Sequence, residues 1–253
     1  MYTKPSAPQP IGEVLDSGFS LYRNALKGTF VFAFLGALVS APAGRIVQPT
    51  PGEPLDLSLA VIVWVPTLVL SVLLWVPVVA RIHAVQHGEA LSASEAIAIA
   101  VRRFPVVLGV VVLYTVAVGV GSLLVIPGIY LAVALIFAPI AAITEHRGVI
   151  ESFKYSFVLV RGRWWRTALL LTIIGIVALV LYALVGVILG VFVAISGPAD
   201  LTDLPWQIDF VVAPLISGVL TPLFYALLMA VYADSKLRNE GADIAERIAA
   251  AEA

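Results

Sequence analysis

The sequence predicts an all-helical polytopic membrane protein with six spans, and three observations support this fold class. The 253-residue chain is 61% hydrophobic and 12% charged, whereas an ordinary soluble domain has about 25% charged residues. Its mean hydropathy is +1.04. Several stretches without any charge exceed the roughly 20 apolar residues that one membrane helix needs. A water-soluble globule is therefore excluded.

The charge-free stretches predict where each span lies, because a charge at the centre of a membrane helix costs about 2.5 to 3.5 kcal/mol. The 41-residue stretch between Arg103 and Glu145 is long enough for two helices. Pro127-Gly128 near its middle is typical of a turn. The predicted elements of this single membrane domain are an interfacial helix at about 10–26, spans at about 28–44, 57–80, 105–125, 128–144, 167–195 and 210–233, and a cytoplasmic tail at 234–253.

Basic residues lie almost entirely on one side of these spans. With six spans both termini share one side, and 14 of the 15 lysines and arginines fall there, leaving only Arg45 on the other side. Cytoplasmic loops of membrane proteins are rich in Lys and Arg. We therefore expect both termini in the cytoplasm. The opposite loops carry five acidic residues, which are Glu53, Asp56, Asp200, Asp203 and Asp209.

Three segments before the odd-numbered spans have features of amphipathic helices lying on the inner membrane face. The first has an apolar stripe of 3.6-residue period from Ile11 to Leu26. The second begins with Ser92 and Glu95 at capping-box spacing, and the third begins near Val149. Short soluble loop helices are the alternative. Each even-numbered span carries two prolines, and the odd-numbered spans carry none internally. Together with the three segments, this pattern predicts three parallel repeats of a unit made of an interfacial helix, an outward helix and a proline-bearing return helix.

The paired prolines predict kinks in the second, fourth and sixth spans. Each interior proline frees a carbonyl one turn earlier, so Leu73, Leu135 and Gly218 could line a common path for substrate or water. Kinks that merely allow the helices to pack are the alternative. The six prolines are Pro66, Pro77, Pro127, Pro139, Pro214 and Pro222.

The densest chemical feature is the segment RGRWWR at the start of the fifth span. Arginine and tryptophan together at a membrane interface are favoured by anionic headgroups and by the aromatic belt. This pattern predicts an interface that binds lipid, although membrane anchoring alone would also explain it. Its residues are Arg161, Arg163, Trp164, Trp165 and Arg166.

Other chemistry receives little support from the sequence. The spans contain no ionisable residue, which disfavours an ion-coupled transporter, and the net charge of −1 does not indicate a nucleic-acid partner. His83 and His87 are weak candidates for a metal site, which would need a third ligand such as Glu145 or His146. For Glu145, a structural ion pair and a general base are the two interpretations. No catalytic residue, metal or cofactor is predicted.

Three stretches resemble one family. The opening IGEVLDSGFSLYRN, the central PGIYLAVALIFAPIAAITEHRGVIESFKYSFVLVRGRWWR and the ending VYADSKLRNEGADI are similar to the membrane domain that precedes the catalytic domain in some bacterial glycerophosphodiester phosphodiesterases. The resemblance implies a bacterial cytoplasmic-membrane location and a fold, without the catalytic domain. It names no catalytic residues.

The sequence therefore predicts a non-enzymatic membrane module that binds or organises lipid, including anionic lipid, or a partner protein. The alternative is a passive channel, or a translocator of lipid or small molecules, lined by the proline-kinked even-numbered helices. In the tail, Asp234 and Arg238 have the i,i+4 spacing of a helical ion pair. Gly241 is predicted to interrupt the helix that follows.

Overall fold

The computed structural model describes residues 2–47, 56–196 and 208–252, and within these ranges it contains helices and no strand. The predicted loop residues Glu53, Asp200 and Asp203 lie outside them. One π-helical turn, Ile208–Val212, leads into the last helix. The α-helices in chain order are α1 (Ile11–Ile46), α2 (Leu57–Gln86), α3 (Ala93–Ser122), α4 (Ile126–Ala134), α5 (Ala138–Thr144), α6 (Val149–Val160), α7 (Trp164–Ser196) and α8 (Ala213–Glu252).

Six helical segments in the described ranges are long and apolar enough to cross a membrane. Helices α1, α2, α3, α7 and α8 each provide one, and α4 with α5 provides the remaining one. The predicted all-helical, six-span fold class is confirmed. The protein is a multi-pass membrane protein.

The segment at 10–26 is not a separate interfacial helix but the first part of α1, which runs unbroken to Ile46. Most of its apolar stripe joins the main core: Val14 is fully buried and Ile11, Leu15 and Tyr22 pack against the core, whereas Phe19 is exposed. The second segment is likewise the beginning of α3. Its predicted capping box is present, because Ser92 N–H donates to Glu95 Oε2 at 2.8 Å and Glu95 N–H donates to Ser92 Oγ at 3.3 Å.

The third segment does form a short helix of its own, α6. Its position on a membrane face stays a prediction, as does the threefold repeat. One argument for the repeat is lost, because Pro42 lies inside α1 and Pro105 inside α3. The presence of proline therefore does not distinguish the even-numbered spans from the odd-numbered ones.

The fourth span forms the predicted hairpin with the third, but the turn lies at 123–125, before Pro127. Pro127 instead occupies the first turn of α4, where a missing N–H costs nothing. Gly128 allows α3 and α4 to approach closely, since a Cβ there would lie 2.6 Å from Ser122 Cα. A second break at 135–137 separates α4 from α5, and Pro139 lies at the start of α5.

Helix α8 continues through Gly241 to Glu252, so the predicted interruption at Gly241 does not occur. Gly costs a helix only about 1 kcal/mol relative to Ala, which is too little by itself to end one. The first residues of the predicted tail at 234–253 are packed against the rest of the protein. Asp234 and Ser235 are buried among neighbouring elements.

The first and last helices, α1 and α8, share the most extensive interface in the described structure. Near it the chain forms what we call the polar end. Here residues 2–10 contact His87 and, through Arg166, the 161–166 segment. The part of α8 from Asp234 onward contacts both Gln9 and Glu145. By contrast, α7 makes few contacts with other helices. The site candidates lie at the polar end and in a cavity between α1, α2 and α8.

Candidate functional site

The structure divides the arginine and tryptophan cluster into two groups with different surroundings. Trp164 packs inward: its indole N–H donates to Tyr130 O at 3.2 Å, and the two rings stack at 5.8 Å. Arg166 also points into the protein and binds Asp234. Trp165, in contrast, is 81% exposed. Arg161 is exposed and Arg163 is half-buried. We call Arg161, Arg163 and Trp165 the basic rim.

Asp234 is the centre of the polar end. Its carboxylate is 4% exposed and accepts hydrogen bonds from Arg166 Nη2 and Arg238 Nε, each at 2.9 Å, and from Gln9 N–H at 2.9 Å. Both arginines also donate to Gln9 O at 2.6 Å. The predicted spacing of Asp234 and Arg238 is thus used in an ion pair. The role of Arg166 in it was not predicted, because Arg166 lies 68 residues away in sequence.

Glu145 takes part in a second ion pair at the polar end. Its Oε1 accepts from Lys236 Nζ at 2.7 Å and from Tyr232 Oη at 2.9 Å. Burial alone would raise the pKa of the Glu145 carboxyl, but these hydrogen bonds outweigh it and hold the pKa below its usual value. A general base is helped by a raised pKa, so this environment favours the ion-pair interpretation of Glu145.

His83 and His87 lie together, with ring centroids 4.3 Å apart. Lys4 Nζ lies 2.9 Å from His87 Nε2, and His87 Nδ1 lies 2.9 Å from His83 O. A neutral His87 that donates from Nδ1 and accepts from Lys4 leaves no lone pair for a metal. Within the ranges that the structure describes, no three His, Cys, Asp or Glu side chains are grouped as a metal site.

Two further arginines at the polar end serve local structure. The Arg103 guanidinium donates to Ala142 O at 2.9 and 3.2 Å, and a cation near the last turn of a helix, here α5, is favourable. Arg147 lies over the Tyr155 ring at 3.9 Å. The guanidinium of Arg147 is thus held by a cation–π contact within the polar end.

The six prolines of the predicted path lie in four helices, α2, α4, α5 and α8. Pro66 and Pro77 lie inside α2 and Pro222 inside α8, whereas Pro214 lies near the beginning of α8. At the break beside Pro139, the buried Ser156 of α6 donates from Oγ to Ala134 O at 2.9 Å and accepts from Phe137 N–H at 3.1 Å. Backbone groups freed by the break are thus satisfied by a side chain that the sequence did not single out.

A cavity of about 510 Å³ lies between α1, α2 and α8. Its lining is mainly apolar, with hydroxyl groups from Ser40, Ser71, Ser217 and Thr221. Of the six prolines in the predicted path, Pro139 is the one that lines it. The volume falls within the range of about 300 to 1,000 Å³ that is usual for small-molecule sites.

Comparison with known proteins identifies the family of this chain. The profile of the uncharacterised protein family UPF0259 matches residues 55–198, more than half of the 253 residues. The chain belongs to the UPF0259 family. A UPF0259 membrane protein of Photorhabdus laumondii is 27% identical over 217 residues, which cover 69% of this chain and 85% of the relative. No solved structure matches the chain.

Membership of UPF0259 corrects the family resemblance drawn from the sequence. The chain is not assigned to the membrane domain of glycerophosphodiester phosphodiesterases, since the family profile and the curated relative both identify UPF0259. The stretches that suggested the resemblance include side chains with structural roles at the polar end, such as Asp234, Glu145 and Arg166. Apolar helices with interfacial arginine and tryptophan recur in unrelated membrane proteins, because the bilayer imposes the same composition on all of them.

Proposed function

We propose that this UPF0259 protein is a non-catalytic membrane module that binds anionic lipid at its polar end. The observation that carries the proposal is the outward position of Trp165, which is 81% exposed and follows the exposed Arg161 by four residues. Its neighbours Trp164 and Arg166 are occupied by internal contacts. The basic rim is therefore the part of the cluster that is available to a ligand.

The chemistry of the rim suits a phospholipid headgroup. Arginine presents a planar fork of N–H donors that matches phosphate oxygens, and each basic residue near an anionic surface contributes about 1 kcal/mol of attraction. Tryptophan is amphipathic and prefers the headgroup level of a membrane. Arg161 and Arg163 flank Gly162, whose φ of +78° makes the turn between α6 and α7.

The proposed location is the cytoplasmic membrane of a bacterium, with both termini and the polar end in the cytoplasm. The concentration of 14 of 15 basic residues on this side supports the orientation. The similarity to a protein of Photorhabdus laumondii supports the bacterial setting. In this orientation the rim faces the inner leaflet.

Native mass spectrometry of the protein in lipid nanodiscs tests the proposal. We expect retained phosphatidylglycerol to exceed its share of the bulk lipid, and the combined variant Arg161→Gln, Arg163→Gln, Trp165→Ala to lose this excess. The matched control is Arg102→Gln with Lys154→Gln, which removes two exposed basic residues elsewhere in the chain. An equal loss in the control would show nonspecific electrostatic attraction and contradict a site at the rim. A protein co-extracted in fixed ratio in place of lipid would favour a partner-binding module.

The cavity favours a second candidate function, passive translocation of lipid. The matching experiment reconstitutes the protein in vesicles with a fluorescent phospholipid in the inner leaflet. A translocator moves the probe to the outer leaflet faster than protein-free vesicles do, and the variant Pro139→Ala changes that rate. A lipid-binding module leaves the rate unchanged.

A further inference from the structure

The turn between α3 and α4 forms an exposed tip that is wholly apolar. The four side chains at 123–126, which we call the apolar tip, are 64 to 81% exposed. No charged residue lies between Arg103 and Glu145. Turns in water favour Gly, Asn, Asp and Ser, yet here the left-handed position, with φ of +51°, is taken by Val125. The tip therefore differs in chemistry from the acidic loops predicted on the far side of the membrane.

The charged residues that end the apolar stretches lie at one level of the molecule. Arg166 at the start of α7 binds Asp234, and Glu145 at the end of α5 binds Lys236. Asp234 and Lys236 are two residues apart on α8, which amounts to about 3 Å of helical rise. Because the hydrocarbon layer excludes charge, this level marks its boundary at the polar end.

The return limb of the hairpin is held close to this boundary. Trp164, which precedes Arg166 on α7, donates its indole N–H to Tyr130 O at 3.2 Å. Neighbouring helix axes are about 8 to 10 Å apart. Tyr130 follows Val125 by five residues, or about 8 Å of rise. The apolar tip therefore lies within roughly 20 Å of the boundary, whereas the hydrocarbon layer is about 30 Å thick.

A contact of α6 limits the depth of the same limb. This helix begins four residues after Glu145 and ends six residues before Arg166, so both of its ends lie close to the boundary. Its buried Ser156 donates from Oγ to Ala134 O at 2.9 Å. Ala134 follows Val125 by nine residues, or roughly 14 Å of rise. Two separate contacts thus hold the hairpin short of the far face.

The backbone of the apolar tip suits surroundings without water. Each N–H group at 123–126 donates to a carbonyl within residues 120–124, at 2.5 to 3.2 Å. Beside the tip, Ser122 Oγ donates to Val118 O at 2.8 Å. Hydrocarbon provides no partner for a free backbone donor, so such donors must be satisfied by the chain itself. The donors of the tip meet this condition.

We propose that the apolar tip ends inside the hydrocarbon layer and is surrounded by phospholipid acyl chains. The α3–α4 hairpin then enters and leaves the bilayer on the side of the polar end, and the other four apolar segments cross completely. From Arg103 to Ser122, α3 is roughly 28 Å long, so it reaches this depth at a slant. Length and composition make both limbs candidate spans, but they do not set the depth of the turn. The basic rim is not part of the tip, so this proposal and the proposed function can fail separately.

The depth of the tip is measured with single spin labels on the full-length protein in vesicles of phosphatidylethanolamine and phosphatidylglycerol. The chain has no cysteine, so each variant carries one label. Leu124→Cys reports the tip. Ile176→Cys is the lipid reference, since Ile176 is 55% exposed and lies ten residues beyond Arg166 on α7, or roughly 15 Å. Glu89→Cys, at an exposed position of the connection between α2 and α3, is the aqueous reference.

Collision of each label with oxygen and with a water-soluble nickel chelate, present on both sides of the membrane, gives the result. We expect the Leu124→Cys label to match Ile176→Cys, with high oxygen access and chelate access at least about fivefold below that of Glu89→Cys, because hydrocarbon excludes the chelate. Chelate access equal to that of Glu89→Cys would place the turn in water and overturn the proposal. Low access to both reagents would show that protein, such as a second copy, covers the tip, and would overturn it as well.

A charge at the tip gives a second readout. Leu124→Asp is expected to lower the amount of folded protein in the membrane at least about fivefold, because a charge in hydrocarbon opposes insertion. Ala90→Asp, at an exposed position of the connection between α2 and α3, is the matched control and should accumulate normally. Normal accumulation of Leu124→Asp would contradict a tip inside the bilayer.

Discussion

At the scale of single residues, the carboxylate of Asp234 joins three parts of the chain. It holds Arg166 at the start of α7, Arg238 on its own helix and the backbone of Gln9 before α1. Breaking a buried pair on one side leaves the remaining charges without a partner. Asp234 is therefore the residue on which the stability of the polar end depends most.

Asp234→Asn is expected to lower the free energy of unfolding by about 2 to 3 kcal/mol, because two charge-assisted hydrogen bonds lose their acceptor charge. Urea or thermal unfolding in detergent micelles measures it. Glu240→Gln, at an exposed position of the same helix, is the control and should change stability by less than about 0.5 kcal/mol. Equal effects of the two variants would contradict the central role of Asp234.

Ser156 and Ser152 form a matched pair, since both are fully buried on α6. Ser156 bridges the break between α4 and α5, whereas Ser152 Oγ donates to Gly148 O of its own helix. Ser156→Ala should therefore cost about 1 to 3 kcal/mol by leaving buried backbone groups unpaired, and Ser152→Ala about 1 kcal/mol or less. Chemical unfolding of both variants measures the difference. A larger loss for Ser152→Ala would contradict the bridging role.

Residue contacts within one helix could be predicted from the sequence, and contacts between helices could not. The Ser92 capping box and the Asp234–Arg238 pair follow from fixed helical spacing. The contact of Arg166 with Asp234 depends on how α7 and α8 pack, which no local pattern specifies. For the same reason the sequence could not distinguish Trp164, which packs inward, from the exposed Trp165.

At the scale of helices, the α1–α8 interface depends on close approach at glycine. A Cβ at Gly18 would lie 2.7 Å from Leu227 Cδ2 and 2.9 Å from Leu227 Cα, and one at Gly218 would lie 2.7 Å from Phe30 Cε2. Small residues allow membrane helices to approach until their backbones nearly touch. A larger residue at Gly18 must separate α1 from α8.

Gly18→Ala is expected to destabilise the protein by about 1 to 3 kcal/mol through overpacking. Gly12→Ala on the same helix is the control, since a Cβ there meets nothing within 4 Å. Alanine is the better helix former, so the control should be neutral or stabilising by up to about 1 kcal/mol. Thermal unfolding in micelles gives both values. A stabilised Gly18→Ala variant would show that the two helices are not in close contact.

The existence of the helices could be predicted from the sequence, but not all of their ends. Charge-free stretches reveal spans because the bilayer excludes charge. They do not reveal where a helix continues beyond the bilayer, so α1 and α8 extend past the predicted limits. Pro42, Pro77 and Pro105 lie inside helices, while the break before Pro139 separates two. Proline alone does not predict which outcome occurs.

At the scale of the whole molecule, the distribution of charge predicts orientation. A reporter that is active only in the cytoplasm should be active when fused after residue 253 and silent when inserted at residue 52, because basic residues concentrate on the side of the termini. Activity of both fusions in bacterial cells provides the measurement. A silent C-terminal fusion beside an active internal one would invert the proposed topology, and with it the leaflet that the basic rim faces.

The pairing of α1 with α8 also sets an order of assembly during synthesis. Leu227 follows Gly18 by 209 residues, and at 5–20 residues per second a ribosome needs roughly 10 to 40 s to produce the intervening chain. Throughout that interval α1 lacks the helix whose Leu227 packs against Gly18. The nascent chain therefore inserts its early helices one after another, but its core closes only when the last of them arrives.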